Sequence, residues 1–185
     1  ILAHPDSYGR HDFGKNKKVN VEFVSANPTG PLSVGHGRQA VLGDVLSRLL
    51  TNAGFDVTRE YYFNNAGVQM KKLGESVRLR YLELLGQKID FPEKHYEGEY
   101  IIEIAQKIKD EHGPAWRDAD VEPFKKLAEE ILFGHIKVVL ERMNLQFDVY
   151  FNEESLYKDG KINELIRRFK EKDLTYEKDG ATWLR

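Results

Sequence analysis

Val19-Asn-Val-Glu-Phe-Val-Ser-Ala-Asn-Pro-Thr-Gly-Pro-Leu-Ser-Val-Gly-His-Gly-Arg-Gln-Ala40 is the stretch from which the fold is read. The hydrophobic, β-branched run Val19 to Ala26 predicts a strand, and the cluster Pro28, Gly30, Pro31 ends it. From Gly35 to Ala53 the residues Val41, Val45, Leu46, Leu49 and Leu50 recur at helical spacing. They predict a helix buried along that stripe and closed by Gly54. Phe55 to Phe63 reads as a second strand. A strand, a helix and a strand within about 45 residues make a βαβ unit, with parallel strands and a right-handed crossover. Its loop aims the start of a helix at whatever lies above the strand ends, and a helix N-terminus attracts anions. A phosphate site is therefore expected there.

Downstream the alternation stops. Val68 to Leu85 reads as a helix and Gly86 to Gly98, with Pro92, as a loop. Tyr100 to His112 carries Ile101, Ile104, Ala105 and Ile108 on one stripe. Val121 to Met143 does the same with Phe124, Leu127, Ala128, Ile131, Leu132, Val138 and Val139. These helices predict a helical insertion after the second strand. Phe147 to Phe151 resumes as a strand, Lys161 to Lys172 as a short helix, and Leu174 to Leu184 as a hairpin turning at Lys178-Asp179-Gly180. Residues 1–17 show no periodicity and read as a connecting segment, with Lys15, Lys17 and Lys18 either solvated or close to phosphates.

The 185 residues, 41% apolar and 31% charged, suffice for one domain or for one domain with a large insertion. Lysine and arginine number 28 against 30 acidic residues, so no global positive field draws nucleic acid and any such contact needs a local patch. There is no cysteine, which excludes disulfides and thiolate metal sites and fits a reducing cytoplasm. The six histidines lack ligand spacing, so no metal site is expected. No apolar run approaches the roughly 20 residues of a membrane span, and no signal-peptide layout opens the chain, which reads as cytosolic and not membrane-bound. The start at Ile1 and the close at Trp183-Leu184-Arg185, inside an expected strand, read as a piece of a longer protein.

Two chemistries fit the loop. Gly35-His36-Gly37-Arg38-Gln39-Ala40 matches G-x-G-x-x-A with Glu60 downstream, the fingerprint of a dinucleotide-binding oxidoreductase domain. That fingerprint needs its first glycine almost directly after the strand, whereas Asn27 to Val34 intervene here. The other reading is an ATP site in which His36 and free backbone N–H groups meet the triphosphate. His36 as a plain helix cap stays open beside it. Asn20, Glu22 and Ser25 interrupt a strand expected to be buried, and a buried carboxylate is costly without a cation. His135 falls on an apolar stripe and reads as a core residue, as do Tyr61, Tyr62 and Phe63, although aromatics of that kind also stack bases.

The run Val21-Glu22-Phe23-Val24-Ser25-Ala26-Asn27-Pro28-Thr29-Gly30-Pro31-Leu32, followed by Gly35-His36-Gly37-Arg38, resembles the active-site segment of bacterial-type class I arginyl-tRNA synthetases. The likeness continues through Gly43-Asp44, Asp56 to Tyr62, Ala66-Gly67, Gly98-Glu99-Tyr100, Phe147-Asp148-Val149 and Asp179 to Arg185, and so covers nearly the whole chain. It implies an α/β fold with a Rossmann-like parallel sheet. Residues 18–65 would be the first half of the ATP- and arginine-binding catalytic domain, 66–146 a mostly helical connective insertion, and 147–185 the return to strand, helix and hairpin. It implies activation of L-arginine by ATP, with Mg2+ as co-substrate and no tightly bound cofactor, then transfer to tRNA-Arg by a monomeric enzyme.

Carried over by position, His36 is the second histidine of the motif His-x-Gly-His, and Pro28, Gly30, Pro31, Gly35 and Gly37 join it around ATP. Glu22, Ser25 and Asn27 are then the arginine-binding residues, Glu22 meeting the substrate guanidinium and Asn27 its α-amino group. Ser33 replaces the first motif histidine. Lys71, Lys72, Arg78 and Arg80 fall in the helix that the likeness places near the tRNA acceptor end, although by their spacing alone they form a solvated face. The family's Lys-Met-Ser-Lys-type loop has no counterpart, so the chain by itself is expected not to charge tRNA. A non-catalytic tRNA-binding relative is the remaining alternative.

Overall fold

The strand β1 (Lys18–Glu22) pairs in parallel with β2 (Asp56–Phe63), Lys18 opposite Asp56 and Glu22 opposite Glu60, as a βαβ unit requires. The helix α1 (Val34–Asn52) connects them, and β3 (Val149–Asn152) completes a three-stranded sheet in the order β1-β2-β3, which leaves β1 at one edge. Between β2 and β3 lie α2 (Val68–Leu84), α3 (Glu99–His112) and α4 (Val121–Arg142). The structure, a computed structural model, describes residues 8–185. The first seven residues of the expected connecting segment thus lie outside the described residues. Two compact units are distinguished, one running to Phe151 and the other spanning Asn152–Arg185.

The first unit has two apolar cores. Met70, Leu73, Val77 and Tyr81 of α2, Ile101, Ile104, Ala105 and Ile108 of α3, and Phe124, Ala128 and Leu132 of α4 form a helical core in which nearly every side chain is sealed from water. The stripes on α3 and on the first half of α4 are those expected from the sequence. The second core joins Val21, Phe23, Val24 and Ala26 to Ala40, Tyr61, Phe63 and Leu145, and takes Ile136 and Leu140 from the far end of α4. One helix therefore spans both cores. Its register rotates between them, leaving His135, Val138 and Val139 exposed instead of in the expected core.

The helix α1 departs further from expectation. Val41, Leu42, Val45, Leu46 and Leu49 are exposed, and the buried positions are Ala40, Gly43 and Ser47. The reason is steric: a Cβ on Gly43 would stand 2.1 Å from Cγ of Phe23, so the helix backbone approaches the end of β1 more closely than any side chain would permit. The C-terminus of α1 behaves as predicted. Gly54 adopts φ +85°, its N–H reaches the Thr51 carbonyl, and the Phe55 N–H reaches that of Leu50, a Schellman closure.

The second unit holds α5 (Glu154–Lys158), which the sequence pattern did not suggest, α6 (Lys161–Glu171) and the antiparallel hairpin of β4 (Thr175–Lys178) and β5 (Ala181–Leu184). The hairpin turns on Asp179 and Gly180, both at positive φ, as an Asp-Gly turn demands. Among the described residues no helix is long and apolar enough to cross a membrane.

Candidate active site

The strand β1 ends at Glu22, four residues before the expected Ala26, because the chain turns sharply there. Val24 and Ser25 take φ of 67° and 41°, a region where a β-branched residue is a rare outlier. The end of β2 imposes this turn. The Tyr61 hydroxyl donates to the Ala26 carbonyl at 2.7 Å and accepts from the Ala26 N–H at 3.2 Å. Ser25 Oγ accepts from the Tyr62 N–H at 3.2 Å, and Asn27 Oδ1 accepts from the Asn64 N–H at 2.9 Å. Asn27 Nδ2 donates to Gln69 Oε1 of α2 at 3.3 Å. Tyr61 is fully buried, and burial pushes its phenol well above the usual tyrosine range, so the hydroxyl stays a neutral donor.

Where β1 ends against α1, a cavity of about 480 Å³ opens, lined by Val21, Glu22, Phe23, Val24 and Ser25 on one side and by Gln39, Leu42, Gly43 and Leu46 on the other. Glu22 is exposed to it, which corrects the premise of a buried carboxylate. Its need for a cation has another source. Glu22 lies in register with Glu60, so adjacent strands carry two carboxylates side by side, and neither has an ion-pair partner among the described residues. Like charges in register repel, and a cation placed between them relieves the repulsion. In the sequence Glu60 belongs to the dinucleotide fingerprint and to the family-like run Asp56 to Tyr62, with no role of its own. The strand pairing brings it to Glu22.

A second cavity of about 420 Å³ lies along the first turns of α1, lined by Ser33, Gly35, His36, Arg38, Gln39 and Leu42. It shares Gln39 and Leu42 with the first. Ser33 is the N-cap, and its backbone N–H donates to Nδ1 of His36 at 3.0 Å, with Ser33 Oγ 3.1 Å from the same nitrogen. His36 is thus a cap. Because Nδ1 accepts, the neutral ring carries its proton on Nε2, and that N–H remains available to an anion. Capping and anion donation use different nitrogens and do not exclude each other.

The other expected site residues are spread along the connecting loop. Pro28 is fully buried, Gly30 lies against the ring of Tyr100, Pro31 is exposed, and Gly37 faces open space. Asn27 sits at the end of β2, outside the lining of both cavities. Asp44 and Arg59, which the sequence offered only as parts of a pattern, pair at 2.9 Å and tie α1 to β2 behind the site. Asp148 caps the same strand by accepting from the Arg59 N–H at 2.7 Å.

Two of the four basic residues of α2 are not a solvated face. Arg78 donates to the Ala119 carbonyl, and Arg80 lies over the Phe91 ring while pairing with Glu83. Tyr61 and Phe63 are core residues, and Tyr62 stacks on Phe151 at 5.6 Å. Among the described residues no three histidines or carboxylates converge as a metal site.

A parallel βαβ unit, with a helix start lining one cavity and an acidic strand end lining the one beside it, defines an α/β domain of the mononucleotide-fold type. The profile of the family described as tRNA synthetases class I (R), catalytic domain, matches residues 1–184, and the chain belongs to that family. The arginine–tRNA ligase of Desulfotalea psychrophila is 57% identical over 184 residues, which are 99% of this chain and 33% of that protein. The arginine–tRNA ligase of Thermotoga maritima is 45% identical, over all of this chain and 35% of its own length.

Among solved structures, one from Campylobacter jejuni assigned as an arginyl-tRNA synthetase superposes with a TM-score of 0.86 at 34% identity, over 99% of this chain and 40% of that one. The arginyl-tRNA synthetase of Thermus thermophilus shares the fold at a TM-score of 0.57 and 22% identity, over 89% of this chain and 29% of that one. The chain spans about a third of the length of the curated relatives it matches.

Proposed function

We propose that these residues form the ATP- and arginine-binding front of an arginine–tRNA ligase. The observation that carries this reading is the junction of the two cavities. An acidic strand end, Glu22 beside Glu60, opens into one of them, and the start of α1 with His36 lines the other, Gln39 and Leu42 being common to both. A guanidinium held at Glu22 leaves the amino-acid end of arginine free to reach a nucleotide at the helix start. The arginine carboxylate attacks the α-phosphorus of ATP, the bond from that phosphorus to the oxygen bridging the α- and β-phosphates breaks, and pyrophosphate departs with that oxygen, leaving arginyl-adenylate.

The Nε2–H of His36 and the free N–H groups of the first turn of α1 stabilise charge that develops on the phosphate oxygens. Ser25 and Asn27 hold the turn that presents Glu22, and Asn27 keeps one lone pair of Oδ1 for the α-amino group. Pro28, Gly30, Pro31, Gly35 and Gly37 shape the loop around ATP, and Ser33 orients His36. Mg2+ accompanies ATP as co-substrate. Transfer to tRNA-Arg belongs to the longer, cytoplasmic and monomeric enzyme, and the 185 residues alone are expected not to charge tRNA.

The test uses a chimera in which these residues replace the matching third of the Desulfotalea psychrophila ligase, with His36→Ala introduced into it. ATP–pyrophosphate exchange should depend on arginine and fall on the order of 10²-fold in the variant. An unchanged rate would reduce His36 to its capping role. Calorimetry in which the chain binds NADH and ignores arginine would replace the whole reading with the dinucleotide one.

A further inference from the structure

Tyr100 stands in the first turn of α3, yet its hydroxyl leaves the helical segment and donates to the Thr29 carbonyl at 2.9 Å, 71 residues away in the chain. The ring has little freedom to do otherwise. It lies across Gly98, where a Cβ would come within 2.4 Å of Cε1, and its inner side packs against the core of α2, α3 and α4. At its other end the hydroxyl faces Gly30, where a Cβ would stand 3.1 Å away. Burial raises the phenol above its ordinary range, which keeps the proton on the oxygen that donates.

We infer that Tyr100 is a positioning residue for ATP: anchored in the helical core, it sets the shape of the Pro28–Pro31 loop through the Thr29 carbonyl and the space left by Gly30. This deepens the function proposed above and rests on it. The run Gly98-Glu99-Tyr100 thereby gains a physical reading, glycine making room for the ring and tyrosine reaching the loop. The arginine end of the site is held separately, by the bonds of Tyr61 to Ala26 and of Ser25 to Tyr62. A defect in Tyr100 should therefore register on ATP and not on arginine.

The experiment compares Tyr100→Phe, Gly30→Ala and the double variant, in the 185-residue chain for amide exchange and in the chimera for kinetics. Phenylalanine keeps the ring over Gly98 and removes only the hydroxyl. In the chain, the Thr29 and Gly30 amides should exchange faster in Tyr100→Phe while those of α3 do not change. In the chimera, the KM for ATP should rise about fivefold, the worth of one hydrogen bond, with kcat and the KM for arginine within about twofold.

Gly30 lies outside the left-handed region, and the one tight contact of an alanine methyl there is the Tyr100 hydroxyl at 3.1 Å, the ring atoms Cζ and Cε1 standing at ordinary distances of 3.4 and 3.8 Å. Gly30→Ala should therefore raise the KM for ATP in the wild-type background and have less effect when Tyr100 is phenylalanine. Equal changes in the two KM values, strictly additive variants, or unaltered loop amides would each overturn the inference. A wild-type chimera that shows no ATP-dependent exchange refutes the proposed function and this role with it. Faster loop amides would then still record the hydrogen bond to Thr29.

Discussion

Replacing Gly43 by alanine tests whether α1 is placed by backbone approach or by its apolar stripe. In an ordinary exposed helix position the change stabilises by about 1 kcal/mol, because alanine has the higher helix propensity. Here the new methyl would stand 2.1 Å from Cγ, 2.3 Å from Cδ2 and 2.5 Å from Cβ of Phe23. The ring must retreat by roughly 1.4 Å to reach the ~3.5 Å of an ordinary carbon contact. Phe23 is buried and packs on Phe147 with ring centroids 4.5 Å apart, so retreat means displacing the second core or moving the helix.

Overpacking of that kind costs about 3 kcal/mol, against which propensity returns about 1, for a net loss of roughly 2 kcal/mol. The control is Gly134→Ala in α4, where a Cβ meets nothing within 4 Å and a gain of about 1 kcal/mol is expected. Urea unfolding of the two variants should move the midpoint in opposite directions. A Gly43→Ala midpoint at or above that of the unsubstituted chain would refute the close-packing account of α1.

The exposed stripe gives a second check: Leu49→Lys should change stability by no more than about 0.5 kcal/mol, whereas Ile108→Ala, in the sealed helical core, should cost 2–5 kcal/mol. Thermal melts would separate the two, and a collapse of Leu49→Lys would show that the stripe is covered in solution. The third concerns pH. The folded chain keeps Tyr61 protonated beyond the pH at which an unfolded tyrosine ionises, so its contribution is complete below pH ~10 and is lost progressively above it. The slope should approach about 1.4 kcal/mol per pH unit in denaturant titrations and flatten in Tyr61→Phe, and an equally steep Tyr61→Phe profile would assign the loss to other groups.

The helical segment was legible because its packing partners are large. Ile101, Ile104, Ala105 and Ile108 repeat at helical spacing and all face inward, so periodicity and burial coincide. In α1 they do not coincide. Its inner face is alanine, glycine and serine, which a hydrophobic pattern passes over, while the leucines and valines that dominate the pattern face outward. The end of β1 was illegible for a different reason. Val24 is a strand-like residue type, and the left-handed backbone of Val24 and Ser25 is enforced by Tyr61 and Tyr62 across the sheet.

At the site, the helix start and a capping His36 could both be read from the loop, but the use of Nδ1 for the cap, in a position usually held by Glu or Gln, depends on side-chain geometry. The Glu22–Glu60 neighbourhood depends on strand register, which only pairing reveals.

The edge position of β1 also decides how these residues behave at high concentration. Among the described residues no strand pairs with the outer flank of β1, and the open cavity beside it is walled by Leu42 and Leu46 of the outward stripe. An unpaired strand edge next to a greasy helix face is the template on which copies of a chain stack. Light scattering should therefore climb with protein concentration and salt, and a ligand that fills the cavity between β1 and α1 should suppress it before it changes the melting temperature appreciably.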